Sequence, residues 1–328
     1  MKTHQTDRDE ENHLRKPSED ISDIKNVNQR YDDDYGIRGK AFPNGTFLCT
    51  REDSHKTPIM KLKNIFDEER LWRDENRYNI FLIETSCNPK PTYRSWCSVE
   101  SMAQNNPKAT VWFVMTSPVI HLQDGLAQDL GDKYSNLQYV TVDLDRVFNG
   151  TPLEELYKSK AWHENTAWPA ANLSNMIRKA LIWHTGGFYS DTDAICIAPL
   201  TSLRNVIGMA TINLVNGAAF HFDRHHPMLW HFMEYLNKNF DPFTWGKNGP
   251  QTVSAVLRDV CGFQDLRQGI ECQGIKILSA QAFNPIPPQG SKVLFQVLKE
   301  DLRKNHKYNP QALGLLKKEI ESYQPHKL

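Results

Sequence analysis

The 328-residue sequence contains no apolar run that approaches the roughly 18 residues needed for a membrane-spanning helix. It also lacks an excess of basic residues, because 39 Lys and Arg balance 39 Asp and Glu, and this excludes the usual composition of a nucleic-acid-binding protein. No signal-peptide pattern is present. With 39% hydrophobic and 10% aromatic residues, the composition is that of a globular protein.

Several motifs of common enzyme classes are missing. The absence of C-x-x-C argues against a zinc ribbon or a thioredoxin-type redox pair. No G-x-G-x-x-G follows the first predicted strand, which argues against a dinucleotide-dependent dehydrogenase. No H-E-x-x-H is present, so a zinc hydrolase is a minor alternative whose ligands would come from a small group of side chains. That group is His221, Asp223, His225, His226 and His231.

The six cysteines stand at positions 49, 87, 97, 196, 261 and 272. Two short loops are expected if Cys87 pairs with Cys97 and Cys261 pairs with Cys272, which leaves the other two as buried thiols or as a third bridge. The alternative is six reduced, buried thiols. Sequons for N-glycosylation begin at Asn44, Asn149 and Asn172, and they favour a secretory compartment.

Charge divides the chain into three predicted segments. The first 40 residues hold 18 Asp, Glu, Lys or Arg, or 45% against 24% for the whole chain. We therefore predict a disordered stem or tail over residues 1–75, a folded domain over 76–298, and a charged helical tail over 299–328.

Three short apolar runs, at residues 78–83, 109–115 and 137–142, read as buried strands. A helix-like run at residues 98–103 lies between the first two and ends before Asn106-Pro107. Strands and helices that alternate at this spacing predict an α/β domain with a mostly parallel, doubly wound sheet.

The most informative segment runs from residue 173 to 200. Apolar residues at helical spacing predict a helix over 173–184, with Ser174 as a candidate N-cap and Gly186-Gly187 at its end. A strand with a polar interruption follows over 188–197. Within it, Asp191 and Asp193 would share one face, with Cα atoms about 6.6 Å apart, and would suit a Mg²⁺ or Mn²⁺ ion that holds a diphosphate.

Asp-x-Asp occurs three more times in the sequence, at positions 7/9, 32/34 and 143/145. The first two lie in the charged segment and are interpreted as solvated charge. We interpret Asp143 and Asp145 as a capping or loop pair. The pair at 191/193 differs because burial of two unpaired carboxylates is costly, so a cation or a basic partner is expected there.

Residues 173–193 resemble the DXD region of the α-1,4-glycosyltransferase family. The resemblance extends upstream to residues 81–86 and 97–101 and downstream to 246–251 and 282–286, in the same order, over about residues 78–295. It implies a GT-A-like nucleotide-sugar-binding domain in a type II membrane enzyme on the lumenal face of the Golgi.

The resemblance also implies a reaction: galactose or N-acetylgalactosamine moves from a UDP-sugar, with retention, in α-1,4 linkage to a glycosphingolipid sugar. Asp193 would bind Mn²⁺ or Mg²⁺, Asp191 would bind the metal or the donor, and Arg178 and Asn175 would lie at the donor site. The acceptor side would comprise Asn248, Gly249, Pro250 and Gln251. No catalytic nucleophile is assigned.

The sequence departs from the family pattern in three ways. Ser174-Asn175 stands where the family usually has Ser-Asp, and no tryptophan follows Trp245, so the family's His-x-Trp-Asn segment is missing. The family's membrane anchor is missing as well. These departures favour an alternative, a catalytically inactive relative that binds a sugar or nucleotide.

Overall fold

The computed structural model of the protein describes residues 39–41, 47–49, 57–73, 77–164 and 166–285. Thirteen strands occur in these ranges. They are β1 Gly39–Ala41, β2 Phe47–Cys49, β3 Ile59–Lys61, β4 Lys63–Asn64, β5 Asn79–Glu84, β6 Thr110–Met115, β7 Val119–His121, β8 Leu137–Thr141, β9 Gly187–Ser190, β10 Val206–Thr211, β11 Leu214–Phe222, β12 Glu271–Cys272 and β13 Ile275–Leu278.

Nine α-helices occur in the same ranges. They are α1 Glu69–Arg73, α2 Tyr93–Asn105, α3 Leu126–Lys133, α4 Leu144–Phe148, α5 Glu154–Ser159, α6 Pro169–Thr185, α7 Pro227–Lys238, α8 Thr252–Cys261 and α9 Ala280–Phe283. A 3₁₀ turn covers Ile65–Asp67, and a π-helical turn covers Lys247–Gln251. None of the described helices is both long and apolar enough to span a bilayer.

Nine strands form one sheet in the order β12-β13-β10-β11-β9-β5-β6-β8-β4. The five strands from β9 to β4 pair in parallel, and β10 pairs in parallel with β13. Strand β11 runs antiparallel to both of its neighbours, and β12 runs antiparallel to β13. The predicted α/β architecture with a mostly parallel sheet is confirmed, and it is consistent with a GT-A-like domain.

Helices cover both faces of this sheet, as the alternating side chains of β5 show. Ile80 and Leu82 pack with residues of α2 and α3, whereas Phe81 and Ile83 pack with residues of α6, α7 and α8. Successive side chains of a strand point to opposite faces of the sheet, so a strand without polar residues is predicted to be covered on both faces. The doubly wound arrangement follows from this pattern.

The Gly186-Gly187 pair lets the chain turn tightly from α6 into β9. Gly186 has φ +65°, and a Cβ there would lie 2.7 Å from the backbone nitrogen of Arg224. Gly187 has φ +123°, and a Cβ there would lie 2.8 Å from the carbonyl oxygen of Asn79. Only glycine fits both positions without strain, and the close approach brings β9 beside β5.

The strand order reverses between β5 and β9. From β5 the chain continues to β6 and β8 on one side, and it then returns to place β9 on the other side. In a doubly wound sheet such a switch point leaves a crevice at the carboxyl ends of the two strands. Glu84 ends β5, and Asp191 directly follows β9, so both residues lie at this crevice.

Two sequence predictions for this region need correction. The strand predicted over 188–197 ends at Ser190, so Asp191 and Asp193 lie in the turn that follows it rather than on one strand face. The helix begins at Pro169, and Trp168 occupies its N-cap position instead of Ser174. Proline at the first helical position has its φ preset for a helix, which moves the start upstream.

Two disulfides are present, Cys49–Cys87 and Cys261–Cys272. The second confirms the prediction. The predicted Cys87–Cys97 pair is wrong, because Cys87 bonds to Cys49 and Cys97 is exposed on α2 as a free thiol. Disulfides persist in oxidising compartments, so this finding agrees with the sequons.

Part of the segment predicted as a stem is folded onto the domain. In residues 57–73, β4 pairs with β8 and Ile65 is fully buried in the core. The predicted tail over 299–328 lies outside the described residues. The domain limits at 76–298 therefore stay a prediction.

Candidate active site

A cleft of about 460 Å³ opens at the carboxyl ends of β5 and β9. Its walls come from five parts of the chain: the end of β5 with the residues after it, the first half of α6, the 191–193 turn, β10 and β11 at residues 210 and 216–218, and the 244–250 segment. Both predicted metal ligands and both predicted donor-side residues line it, namely Asp191, Asp193, Arg178 and Asn175.

Asp191 is held at the cleft by Arg178 and Tyr189. Its backbone N–H donates to the Ala218 carbonyl at 2.9 Å, which fixes the residue against β11. Its Oδ1 accepts hydrogen bonds from the Tyr189 hydroxyl and lies 3.0 Å from Arg178 Nη2. One carboxylate oxygen is therefore fixed by the protein, and about a third of the side chain stays exposed to the cleft.

Arg178 is buried, and all of its donor nitrogens have partners. Nε donates to the Ser174 carbonyl at 3.0 Å, Nη1 to the Gly217 carbonyl at 2.7 Å, and Nη2 to Ser174 Oγ at 2.7 Å. The guanidinium also lies over the Tyr189 ring, 4.6 Å from its centre. These contacts make Arg178 a rigid support for Asp191 rather than a helix-surface ion pair.

The protonation states follow from burial and neighbouring charge. Burial raises the pKa of Asp191, while the Arg178 charge and the Tyr189 hydrogen bond act in the opposite direction. Burial likewise raises the pKa of Tyr189 well above its usual value, so its hydroxyl keeps the proton that it donates to Asp191.

Asp193 differs from Asp191 because its carboxylate is exposed. It lines the same cleft two residues further along. Within the described residues, neither the Asp193 carboxylate nor Asp191 Oδ2 makes a hydrogen bond or an ion pair. Free carboxylate oxygens are the ligands that Mg²⁺ and Mn²⁺ prefer, so this pair fits such an ion, with open positions for phosphate oxygens.

No third ligand completes this pair among the described residues, where no group of three or more His, Cys, Asp or Glu side chains could hold a metal. The zinc alternative is wrong for the same reason. One of its proposed ligands, His221, is buried near the opposite end of the sheet, where its Nδ1 accepts a hydrogen bond from the backbone N–H of Asn205.

The Asp143 side chain caps α4 by accepting from the Arg146 N–H, which confirms its predicted capping role.

Asn175 lies one helical turn before Lys179 and joins the two sides of the cleft. Its Oδ1 lies so close to Gly249 that a Cβ there would be 2.9 Å away. Its carbonyl accepts from Lys179 Nζ at 2.7 Å, and the same Nζ lies 3.3 Å from the Asn248 carbonyl. Burial and the nearby Arg178 lower the pKa of Lys179 well below its usual value.

The four predicted acceptor-side residues have different surroundings. Asn248 is buried, and its amide bonds to Asp241 and Asn172, so it holds the shape of the loop. Pro250 lines the cleft, Gly249 packs on Asn175, and Gln251 is exposed. The structure thus brings this segment to the cleft, while a contact with an acceptor stays a prediction.

Several residues at or beside the cleft were missed by the sequence prediction. Lys179 lies beside the cleft, bonded to the Asn175 carbonyl, and a basic residue in an apolar stretch was the available signal. Trp168 and Trp245 line the cleft together, although 77 residues separate them in the chain. For Glu84, the sequence predicted only that it follows a buried strand, with no role at the cleft.

Glu84 is another partly buried carboxyl group at the cleft. Its Oε1 accepts from the backbone N–H of Ser86 at 2.8 Å and from the Ser86 hydroxyl. Its Oε2 is buried and has no hydrogen-bond partner among the described residues. Burial raises its pKa.

The sequons differ in accessibility. Asn149 is exposed at the end of α4, whereas Asn172 is buried and hydrogen-bonded to Trp162, Thr166 and Asn248. A glycan on Asn172 is incompatible with this packing. Asn44 lies outside the described residues.

Two family models match the chain. One, described as a glycosyltransferase sugar-binding region containing a DXD motif, covers residues 92–212. The other, described as an alpha 1,4-glycosyltransferase conserved region, covers residues 221–323. The first includes Asp191 and Asp193, and the second includes the 244–250 segment.

Curated relatives are similar over most of the folded part. A gorilla lactosylceramide 4-alpha-galactosyltransferase is 33% identical over 222 residues, which are 66% of this chain and 67% of that protein. The mouse enzyme of that name is 34% identical over 229 residues, or 66% of this chain and 61% of that protein. A human alpha-1,4-N-acetylglucosaminyltransferase is 30% identical over 222 residues, or 64% of each chain. This chain therefore spans about three fifths of the length of the mouse relative.

A solved structure titled PaToxG Glycosyltransferase is similar at a TM-score of 0.42 and 16% identity, with 73% of this chain and 76% of that chain covered.

Proposed function

Because the chain belongs to the α-1,4-glycosyltransferase family with a DXD-containing sugar-binding region, we propose that it transfers a hexose from a UDP-sugar to a glycan acceptor. The proposed product is an α-1,4 linkage, formed with retention, on the terminal sugar of a glycosphingolipid. Galactose and N-acetylgalactosamine are the proposed donor sugars. The proposed location is the lumenal face of the Golgi membrane.

The observation that carries this proposal is the state of the two aspartates. Asp191 is fixed on one oxygen by Arg178 and Tyr189, while its other oxygen and the Asp193 carboxylate have no described partner and line a cleft. Arg178 pairs with one oxygen of Asp191 only, and the nearby charge of Asp193 opposes ionisation of Asp191 by raising its pKa. The arrangement is explained if a divalent ion binds between them.

In the proposed mechanism, Asp193 and Asp191 Oδ2 would hold Mn²⁺ or Mg²⁺, and such an ion would supply positive charge that stabilises a diphosphate leaving group. Arg178 and Tyr189 keep Asp191 oriented, so no reorganisation is needed as negative charge develops on that leaving group. Asn175 lines the same cleft, and its amide is the proposed donor to a sugar or phosphate oxygen. No nucleophile is assigned to the retaining step.

A second candidate is a relative that binds a nucleotide-sugar but does not transfer it. It is favoured by the lack of a third metal-ligating side chain among the described residues and by an amide at position 175. The donor would then bind without turnover.

The test measures binding and transfer separately. Titration calorimetry with UDP in the presence and absence of MnCl₂ should show manganese-dependent binding. Radiolabelled UDP-galactose, UDP-N-acetylgalactosamine and UDP-N-acetylglucosamine are then each incubated with lactosylceramide, and the product linkage is determined. Binding with transfer supports the proposal, binding without transfer supports the second candidate, and no UDP binding contradicts both.

A further inference from the structure

We propose that Trp245 and Trp168 form an aromatic platform on which the acceptor sugar stacks. This inference rests on the proposed function and names the acceptor-binding surface of the same cleft.

The first argument is exposure. The Trp245 side chain is 56% exposed although tryptophan is among the largest apolar residues. It lines the cleft that also contains Asp191 and Asp193. Large exposed apolar surface beside polar groups is typical of a binding site.

The second argument is geometry. The Trp245 and Trp168 rings lie 5.4 Å apart at an interplanar angle of 65°. This edge-to-face contact fixes the orientation of both indoles and leaves ring surface exposed to the cleft. A pyranose presents C–H groups on one face and hydroxyls around its edge, so it matches a wall that is apolar and has polar neighbours. Thr244 and Asn216 supply polar groups on the lining of the same cleft.

The third argument is rigidity of the loop that carries Trp245. Asp241 Oδ1 accepts from the backbone N–H groups of Phe243 and Thr244 at 2.8 and 3.1 Å. Asn248 donates to the Asp241 carbonyl at 2.7 Å and accepts from its N–H at 3.0 Å. The platform is therefore held in place before a ligand binds, which lowers the entropy lost on binding.

The same loop connects directly to the turn before Trp168. Thr166 Oγ1 donates to the Pro242 carbonyl at 2.7 Å and accepts from the Trp168 N–H at 3.2 Å. One threonine thus ties together the two segments that carry the indoles.

Phe243 provides a matched control. It lies two residues before Trp245 and is 73% exposed, but it is not part of the cleft lining. Trp245→Ala and Phe243→Ala each remove one exposed aromatic ring from the same loop. Only the first should affect a ligand in the cleft.

The experiment compares a water-soluble β-lactoside with lactosylceramide in vesicles as acceptors. We expect Trp245→Ala to raise KM about tenfold for both acceptors, with kcat changed less than twofold and manganese-dependent UDP binding unchanged. Trp245→Phe should recover part of the loss, and Phe243→Ala should match the wild type with the soluble acceptor.

Three results would overturn the platform: an unchanged KM for both acceptors in Trp245→Ala, an equal loss with the soluble acceptor in Phe243→Ala, or an effect of Trp245→Ala confined to vesicles. The last would mean that the indole contacts lipid instead of sugar.

If the wild type binds UDP but transfers nothing, saturation-transfer NMR with the lactoside replaces the measurement of KM. Loss of the lactoside signal in Trp245→Ala alone then supports the platform, and its persistence overturns it, so the outcome is separate from that of the proposed reaction.

Discussion

The two ends of the central sheet both hold ionisable side chains near an arginine, but the cleft with Asp191 and Asp193 lies at one of them, which we call the open end; the other is called the closed end. At the carboxyl ends of β5 and β9, Arg178 forms an ion pair with Asp191 beside the cleft. At the amino end of β5, Tyr78 and His221 are packed 5.2 Å apart, and Arg204 lies over the Tyr78 ring.

The two ends differ in whether their ionisable side chains are neutral or charged near pH 7. Burial lowers the pKa of His221 to about 4 and raises that of Tyr78, so both groups are neutral near pH 7. The cleft end instead keeps charged groups close together, one carboxylate paired and one exposed. Burial at the closed end contributes to stability, whereas the unpaired charge at the open end has a proposed role in binding. The following variants separate these two roles.

The largest expected effect is on transfer, at the open end. Asp193→Ala should lower kcat/KM about 10³-fold, or about 4 kcal/mol in activation free energy, because the proposed metal ligand is removed. The thermal unfolding midpoint should not change, since the side chain is exposed and has no described partner. Transfer rates and melting curves of both proteins provide the measurement.

Asp145→Ala is the matched control for that variant, because Asp145 is an exposed carboxylate in the Asp-x-Asp sequence of α4. It should leave transfer unchanged. Full activity of Asp193→Ala would contradict the metal assignment.

The closed end should show the next largest effect, on stability against pH. The pKa of His221 falls from 6.5 to about 4 on folding. Its stabilising contribution is therefore present above pH 6.5 and is lost as the pH falls toward 4, by about 3 kcal/mol. His221→Asn places an amide oxygen where Nδ1 accepts from the Asn205 N–H, without a titrating group.

Urea unfolding of wild type and His221→Asn at pH 7, 5.5 and 4.5 measures this contribution. The free energy of unfolding should fall less steeply with pH in the variant, while transfer at pH 7 should be similar. Parallel pH profiles would show that His221 does not titrate as described.

A smaller effect is expected when Arg178 is replaced. Arg178→Met leaves Asp191 without its cation and should destabilise the fold by about 2 kcal/mol, less than for a fully buried pair because Asp191 is partly exposed. Chemical unfolding measures the change. Arg178→Lys should recover only part of it, since an ammonium cannot replace the guanidinium's three bonds. A full recovery would contradict the importance of that geometry.

The smallest effect on stability is expected at the neighbouring residue. Lys179 is buried, but its ammonium group donates to carbonyl oxygens instead of pairing with a carboxylate. Lys179→Met should change the free energy of unfolding by less than about 1 kcal/mol, because the removed desolvation cost offsets the lost hydrogen bonds. A loss equal to that of Arg178→Met would show that the two cations have the same structural role.

Much of the fold was predictable from local pattern. The runs at 78–83, 109–115 and 137–142 match β5, β6 and β8 within one or two residues. Strands buried on both faces need continuous apolar residues, and that requirement is visible in a single sequence. The double glycine likewise marked the tight passage from α6 to β9.

Errors occurred where the outcome depends on distant residues. Cys87 is ten residues from Cys97 in sequence, yet it pairs with Cys49, because a disulfide needs its Cα atoms about 5–6 Å apart in the folded chain. The end of β9 at Ser190 was missed because period-two alternation does not show where pairing with β11 stops.

The sequence by itself determined the buried strands, the amphipathic helices and the position of the aspartate pair, because each depends on side-chain chemistry at short range. Only the tertiary structure decided that Arg178 supports Asp191, that Lys179 is buried against the 247–251 turn, and that Trp168 faces Trp245. These contacts join residues far apart in the chain, and the packing of helices around the sheet sets the distances between them.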